Sequence, residues 1–246
     1  MDEQPEPALT VHRADERYRS QPGPGIETRH AFSFSGHYDP GNTHFGALLA
    51  CNEESLAVGA GFGPHLHRDT EIITWVVDGA LAHRDDRGHA SVVRPGRIQY
   101  LSAGSGVRHT EGNVGGAQEP VRFLQFWLQP DEFGTEPRYG SRTVPDGSAV
   151  LADAGQLRRA DAALHLLRAE PHRPLPPLPA APYRYLHVLR GGLGFRTRSG
   201  PRGVGQELAP GDSLRISGDA EPYQPVAGPA GVEALLWEMH SGPRYG

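Results

Sequence analysis

Apolar and polar residues alternate along this chain in short runs cut by Gly, Pro, Asn and Asp. That pattern fits many strands joined by turns, not helices with a 3.6-residue stripe. RHAFSFSGHYDP (29–40) alternates and ends in turn residues, and HFGALLACNEESLAVG (44–59) reads as a strand and a polar turn. TEIITWVVDGALAHRDDRG (70–88) reads as a hairpin-like pair turning near Asp78-Gly79. Strand-like runs continue through SVVRPGRIQYLSAGSG (91–106), VRHTEGN (107–113) and PVRFLQFWLQP (120–130). Between Asp131 and Pro182 the regularity breaks. ADAGQLRRADAALHLLRAE (152–170) permits a strand or a short helix, and PHRPLPPLPAAP (171–182) predicts a stiff extended connector or edge segment.

Beyond that connector the first half is echoed. VVDGALAHR, VVRPGRIQYLS and RFLQFWL are matched in order by VLRGGLGFR (188–196), ELAPGDSLRIS (207–217) and VEALLWEM (232–239), with Pro95-Gly96 and Pro210-Gly211 at equivalent places. Two diverged copies of one β unit account for this. The expected class is all-β, with an N-terminal domain over 1–140 and a C-terminal domain over 141–246.

Composition narrows the functions. The 246 residues suffice for two modest domains. A formal charge of -5 and no basic stripe argue against nucleic-acid binding. All 24 basic residues other than His are arginine, which removes Schiff-base, P-loop and general-base lysines. The single cysteine, Cys51, excludes an internal disulfide and fits a reducing cytoplasm; it reads as a small buried residue. The start, MDEQPEPALT, lacks the look of a signal peptide, and no apolar run nears the ~20 residues of a membrane span.

Only the first copy carries a histidine cluster. On a strand, His65 and His67 point to one side with Cα atoms about 6.6 Å apart, which suits two ligands to one ion. His109 and Glu111 repeat the spacing. Converging in a small barrel, the two pairs would supply three imidazoles and a carboxylate. This set suits Fe(II), Mn, Ni, Co or Cu(II), tolerates Zn, and leaves positions open for substrate or O₂. Around 217–224 the second copy offers Glu221, Tyr223 and Gln224 instead, so one metal per chain is expected. Other residues invite plainer readings. His83 and His89 flank a polar turn and read as solvated, and His30, His37 and His44 as hydrogen-bonding near the barrel mouth. Trp75, Phe126, Trp127 and Trp237 read as core, and His187 as structural.

GAGFGPHLHRDTEIITWVVDG (59–79) and Gly106, His109 and Asn113 resemble the two cupin motifs, with Gly104 where a proline is usual. RHAFSFSGHYDP, HLHRDTEIIT and SAGSGVRHTE resemble the pirin family in particular. The resemblance covers at least Arg29 to Asn113 and is looser beyond. It implies a bicupin whose second, shortened barrel is metal-free. Ordinary cupins use the glutamate of the first motif, Glu71 here, whereas pirins use that of HxE. The implied ligands are therefore His65, His67, His109 and Glu111, with Fe(II) first among the metals and Glu71 orienting an imidazole. The implied activity is a quercetin 2,3-dioxygenase: flavonol and O₂ as substrates, Glu111 as general base, carbon monoxide released. The alternatives are a regulatory or redox-sensing binding protein acting on a transcription factor or metabolic enzyme, and a metal-cupin isomerase or hydrolase. An apolar pocket at the metal favours the dioxygenase, an Arg-lined one the isomerase, and a broad exposed patch the binding protein.

Overall fold

The computed structural model describes residues 5–116, 119–196, 207–218 and 224–244. Every regular element among them is a strand, as the alternation predicts. The strands form two compact units: 18–145 with 154–160 and 243–246, and 1–17 with 146–153 and 161–242. The expected division at 140/141 differs from this partition chiefly at the N-terminus. There β1 (Ala8–His12) pairs antiparallel with β17 (Ser213–Ser217), which assigns it to the C-terminal unit. No helix of the described residues is long and apolar enough to cross a membrane.

The N-terminal unit contains β2 (Tyr18–Ser20), β3 (Ile26–His30), β4 (Leu48–Leu56), β5 (Gly61–His67), β6 (Glu71–Asp78), β7 (Leu81–Asp85), β8 (Ala90–Val93), β9 (Arg97–Ser102), β10 (Val107–Asn113), β11 (Val121–Leu128) and β12 (Arg138–Thr143). They make two sheets, β12-β9-β6-β11-β4-β3-β2 and β5-β10-β7-β8. The expected β6–β7 hairpin does not form. β6 pairs with β9 and β11, whereas β7 pairs with β10 and β8. Gly79, at φ 80°, carries the chain from one sheet to the other, and a Cβ there would lie 2.9 Å from the Pro120 carbonyl oxygen. The first alternating segment is also shorter than expected: its strand stops at His30, and Phe34 bridges back to His37 through Ser35 at φ 52°.

Inward residues of the two sheets meet in layers. One apolar layer contains Ile26, Leu56, Val76, Leu81, Val121 and Phe123, and another contains Ile72, Leu101, Ala103 and Val107. Successive inward positions on β6 run Ile72, Thr74, Val76, and on β11 Phe123, Gln125, Trp127, so a polar layer lies between the apolar ones. Thr74, Gln99 and Gln125 in that layer are buried. Buried polar groups persist where partners satisfy them, so this layer marks the site.

The C-terminal unit adds β13 (Ala149–Ala152), β14 (Ala162–Ala169), β15 (Tyr183–Arg196), β16 (Glu207–Leu208) and β18 (Gln224–Met239). Its sheet runs β1-β17-β15-β18-β14-β13, with β16 also on β15. Bulges at Val188/Arg190 and Gly191/Leu193 interrupt the long β15–β18 ladder around a core that includes Leu186, Val188, Phe195, Leu214, Ile216 and Leu236. The ambiguous segment is a strand, β14, and the Pro-rich stretch is an edge segment that bridges at Pro174–Val226 and buries Leu175 and Leu178. The repeat has a topological counterpart. β15 pairs with β17 and β18 as β6 pairs with β9 and β11, and Gly96 and Gly211 take φ of 80° and 86° in the equivalent turns. Cys51, Trp75, Phe126, Trp237 and His187 are buried. Glu221 and Tyr223 lie outside the described residues.

Candidate metal centre

Strand alternation puts His65 and His67 of β5 on the inner face, with Leu66 turned out and exposed. On β10, Val107, His109, Glu111 and Asn113 face inward, and on β7, Leu81, His83 and Asp85 do. Register then aligns them in rows. His65, His109 and Asp85 are cross-strand partners, as are Phe62, Glu111 and His83. A bulge between His109 and Glu111 sets the two residues Gly63 and Pro64 of β5 against Thr110 alone, which re-aims His65. Gly104 is required in the turn before β10. Its φ is 46°, and a Cβ there would come 2.0 Å from the Thr135 carbonyl oxygen, so the usual proline could not fit.

The structure brings His65, His67 and His109 together. Their ring centroids are 4.3 to 4.9 Å apart, and one ring nitrogen from each lies within 4.8 Å of the others. His65 Nδ1 donates to the Gly63 carbonyl at 2.8 Å, leaving Nε2 as a free lone pair. Nε2 of His67 and Nε2 of His109 are buried with no hydrogen-bond partner. Polar atoms so placed are rare unless something binds them. Three imidazole nitrogens without thiolate fit a divalent transition metal. Burial, with the neighbouring His65, lowers the pKa of His67 to about 4; burial, with His65, His67 and His83, lowers that of His109 to about 2. Both rings are therefore neutral, as ligation requires.

Glu111 forms a second group within 4.8 Å with His109 and His83. Its carboxylate accepts from Gln125 Nε2 at 2.9 Å and Gln99 Nε2 at 3.4 Å. Both amides are held in that orientation. Trp127 Nε1 donates to Gln125 Oε1 at 3.1 Å, and the Tyr139 hydroxyl donates to Gln99 Oε1 at 3.0 Å. Two donors thus face Glu111 against the pull of burial, which raises its pKa from 4.5 to about 7.

Behind the cluster lies a further network. His109 Nδ1 is 3.2 Å from His83 Nδ1, His83 Nε2 is 3.3 Å from Asp85 Oδ2, and that oxygen is 2.9 Å from His89 Nδ1. Tyr139 stacks on His83 with centroids 4.5 Å apart and also bonds Ser91. Burial raises the Asp85 carboxyl, but bonds from the His89 amide and ring and from His83 outweigh it and hold it below the usual range. Burial also lowers the pKa of His83. The expectation of a solvated His83 is therefore corrected: it is 2% exposed and touches the cluster, while His89 is half-exposed. Glu71 is corrected too. Buried at the start of β6, it accepts from the Ser102 hydroxyl at 2.6 Å and the Arg158 amide at 3.0 Å, and bonds no imidazole.

His65, His67 and Glu111 also line a cavity of about 470 Å³, within the range of small-molecule pockets. Phe34, Phe62 and Trp127 form its apolar walls, with the Trp127 and His67 ring centroids 4.9 Å apart in an edge-to-face arrangement, and the exposed Leu66 borders it. Trp127 is thus half-buried, packed against the Ile72–Leu101–Val107 core layer on one side and walling the cavity on the other. Across the cavity lies a polar set: Thr28, whose hydroxyl donates to Glu54, and His30, bonded to Ser20 at 2.7 Å and Asn52 at 3.0 Å. Among the described residues, Arg68 is the one arginine of the lining. A larger depression of about 710 Å³ touches His83 and Glu111 but is lined mainly by Gly, Ala and Ser.

Paired β units with inward imidazoles at one end of such a cavity define the cupin class. Within it, the Pirin family model matches residues 12–128. The chain is 41% identical over 228 residues to a Mycobacterium tuberculosis protein provisionally named quercetin 2,3-dioxygenase, covering 88% of this chain and 89% of that one. It is 39% identical over 134 residues to a protein of Escherichia coli named quercetin 2,3-dioxygenase, covering 54% and 57% of the two. A crystal structure of a bacterial pirin from Escherichia coli in complex with nickel(II) superposes with a TM-score of 0.82 at 28% identity, over 95% of this chain and 100% of that one. This chain belongs to the pirin family, with the all-β bicupin fold.

Proposed function

We propose that this protein is a metal-dependent dioxygenase that opens the oxygen heterocycle of a flavonol such as quercetin with O₂, and that His65, His67, His109 and Glu111 hold the metal. One observation carries the reading: free imidazole nitrogens and a desolvated carboxylate stand at one end of a cavity walled by aromatic rings. Relatives named quercetin 2,3-dioxygenase and a nickel-bound pirin support it. Fe(II) is the first choice of metal, with Ni, Mn, Co, Cu or Zn compatible with the donor set.

A bound divalent ion supplies an open position and a charge that lowers the pKa of a flavonol 3-hydroxyl. The rest falls to the chain's own residues. Phe34, Phe62 and Trp127 receive the planar rings and exclude water. Thr28, His30, Asn52 and Glu54 offer hydrogen-bond partners to hydroxyl groups at the far end of the ligand. Glu111, the carboxylate that lines the cavity beside the imidazoles, takes the 3-hydroxyl proton on an oxygen as general base. Gln99 and Gln125 keep that carboxylate in place with donated hydrogen bonds.

The test is aerobic incubation of metal-loaded protein with a panel of flavonols, following absorbance loss and carbon monoxide. Metal-dependent consumption with carbon monoxide release is expected. Metal binding with no consumption of any flavonol would reject the enzyme reading in favour of a regulatory pirin-like protein.

A further inference from the structure

His109 brings Nε2 to the three-imidazole cluster, but an imidazole nitrogen binds metal only through a lone pair. Which nitrogen of a neutral ring is bare depends on where its single proton sits. Two contacts decide this for His109, and they begin at Asp85, with His83 between the two.

Asp85 is fixed in orientation. Its Oδ1 accepts from the Arg87 amide at 3.0 Å and the His89 amide at 2.9 Å, so Oδ2 is left to face His83 Nε2 at 3.3 Å and His89 Nδ1 at 2.9 Å. A carboxylate only accepts hydrogen bonds. His83 must therefore carry its proton on Nε2, which leaves a lone pair on its Nδ1. That lone pair lies 3.2 Å from His109 Nδ1. The contact is satisfied only if His109 donates from Nδ1, and the proton is then absent from Nε2, the buried nitrogen without a partner. The opposite arrangement would set the His83 lone pair against the Asp85 carboxylate. The stack of Tyr139 on His83, inclined by only 14°, holds the intermediate ring in plane.

We infer that Asp85 and His83 are positioning residues: through two hydrogen bonds they hold His109 in the one tautomer that can ligate a metal. The inference rests on the reading of His109 as a ligand. It also explains why two buried polar residues occupy β7 behind the cluster, where neither lines the aromatic cavity.

The discriminating variant is Asp85→Asn. The two backbone amides require an oxygen at the Oδ1 position, so the new NH₂ must take the place of Oδ2 and donate to His83 Nε2. The chain then reverses, with His83 donating from Nδ1 and His109 protonated on Nε2. Two readouts apply to chelator-stripped protein. Spectra of ¹⁵N-histidine-labelled protein report the tautomer of His109, and calorimetric titration with Ni(II) reports affinity. The parent should show His109 protonated on Nδ1. Asp85→Asn should move that proton to Nε2 and weaken Ni(II) binding 10- to 100-fold, the scale of lost outer-shell partners. Adding His83→Leu to Asp85→Asn should recover part of the affinity, because the reversed donor is gone; general damage to the fold would not be relieved this way. Asp85→Asn that binds Ni(II) like the parent, with His109 still protonated on Nδ1, overturns the inference. If Asp85→Asn does not fold, His83→Leu alone decides. It should give mixed His109 tautomers and about tenfold weaker binding, and an unchanged single tautomer with parental affinity overturns the inference. Failure of the parent itself to bind any divalent metal would instead reject the metal-centre reading, while its tautomer spectrum would still test the relay.

Discussion

Glu111 is buried to 3% exposure, and its pKa stands at about 7 against an ordinary 4.5. A carboxyl raised by burial contributes stability that is fully present below pH 4.5 and is lost as pH rises through about 7, because the native state holds its proton longer than the unfolded chain does. Above pH 7 the ionised group costs the metal-free protein roughly 3 kcal/mol, of which about 2 kcal/mol develops between pH 5.5 and 8. Glu111→Gln keeps the size and one acceptor oxygen but cannot ionise. Its new NH₂ must face one of the Gln99 and Gln125 amides, a cost of about 1 kcal/mol that does not vary with pH. Stripped of metal and unfolded in urea, the variant should therefore gain on the parent by about 2 kcal/mol between pH 5.5 and 8. Effects of the nearby histidines largely cancel in that difference. A difference that stays flat across the range, or that moves toward the parent as pH rises, would refute the picture of a desolvated carboxylate at Glu111.

Other outcomes follow from the same geometry. His67 is held neutral by burial, so its contribution to the stability of metal-free protein is present above pH 6.5 and is lost as pH falls to about 4, by up to about 1.4 kcal/mol per pH unit; His67→Asn should lose correspondingly less on acidification in urea melts. Replacing His65, His67 or His109 singly by Ala should weaken metal binding at least about tenfold, read as metal content after dialysis and by calorimetry; parental content in any one would remove that residue from the ligand set. Glu71→Gln should leave metal content, flavonol turnover and stability near parental values, since the Ser102 hydroxyl and the Arg158 amide both donate to one oxygen that the Gln carbonyl can replace; loss of metal would return Glu71 to the ligand set.

What could be read in the sequence followed strand alternation. His65 with His67, and His109 with Glu111, share a face because residues two apart on a strand do, and the structure places both pairs inside one barrel. Misreadings arose where the chain changes sheets. Glu71 stands four residues after His67, but Arg68 to Thr70 carry the chain into the opposite sheet, with Asp69 at φ 50°, and Glu71 arrives beside Ser102. The hairpin expected at Asp78-Gly79 is likewise a crossing between sheets. His83 looked like part of a polar turn, although the alternation of Leu81, His83 and Asp85 already marked an inward face. That β7 lies beside β10, so that His83 meets His109, is a matter of topology and not of local pattern. Gln99 and Gln125 carried no signal at all. An isolated glutamine on a strand ordinarily reads as surface, and only the layering of the barrel turns these two toward Glu111.

Carbon monoxide released per metal ion per minute from quercetin, compared between the parent and Glu111→Gln at matched metal content, tests the central claim most directly. The parent should release carbon monoxide as quercetin is consumed, and the variant should retain its metal and turn over 10²- to 10⁴-fold more slowly, the usual loss with a general base. Equal rates in the two proteins, or the same rate after the metal has been stripped, would contradict the assignment of flavonol cleavage to this site.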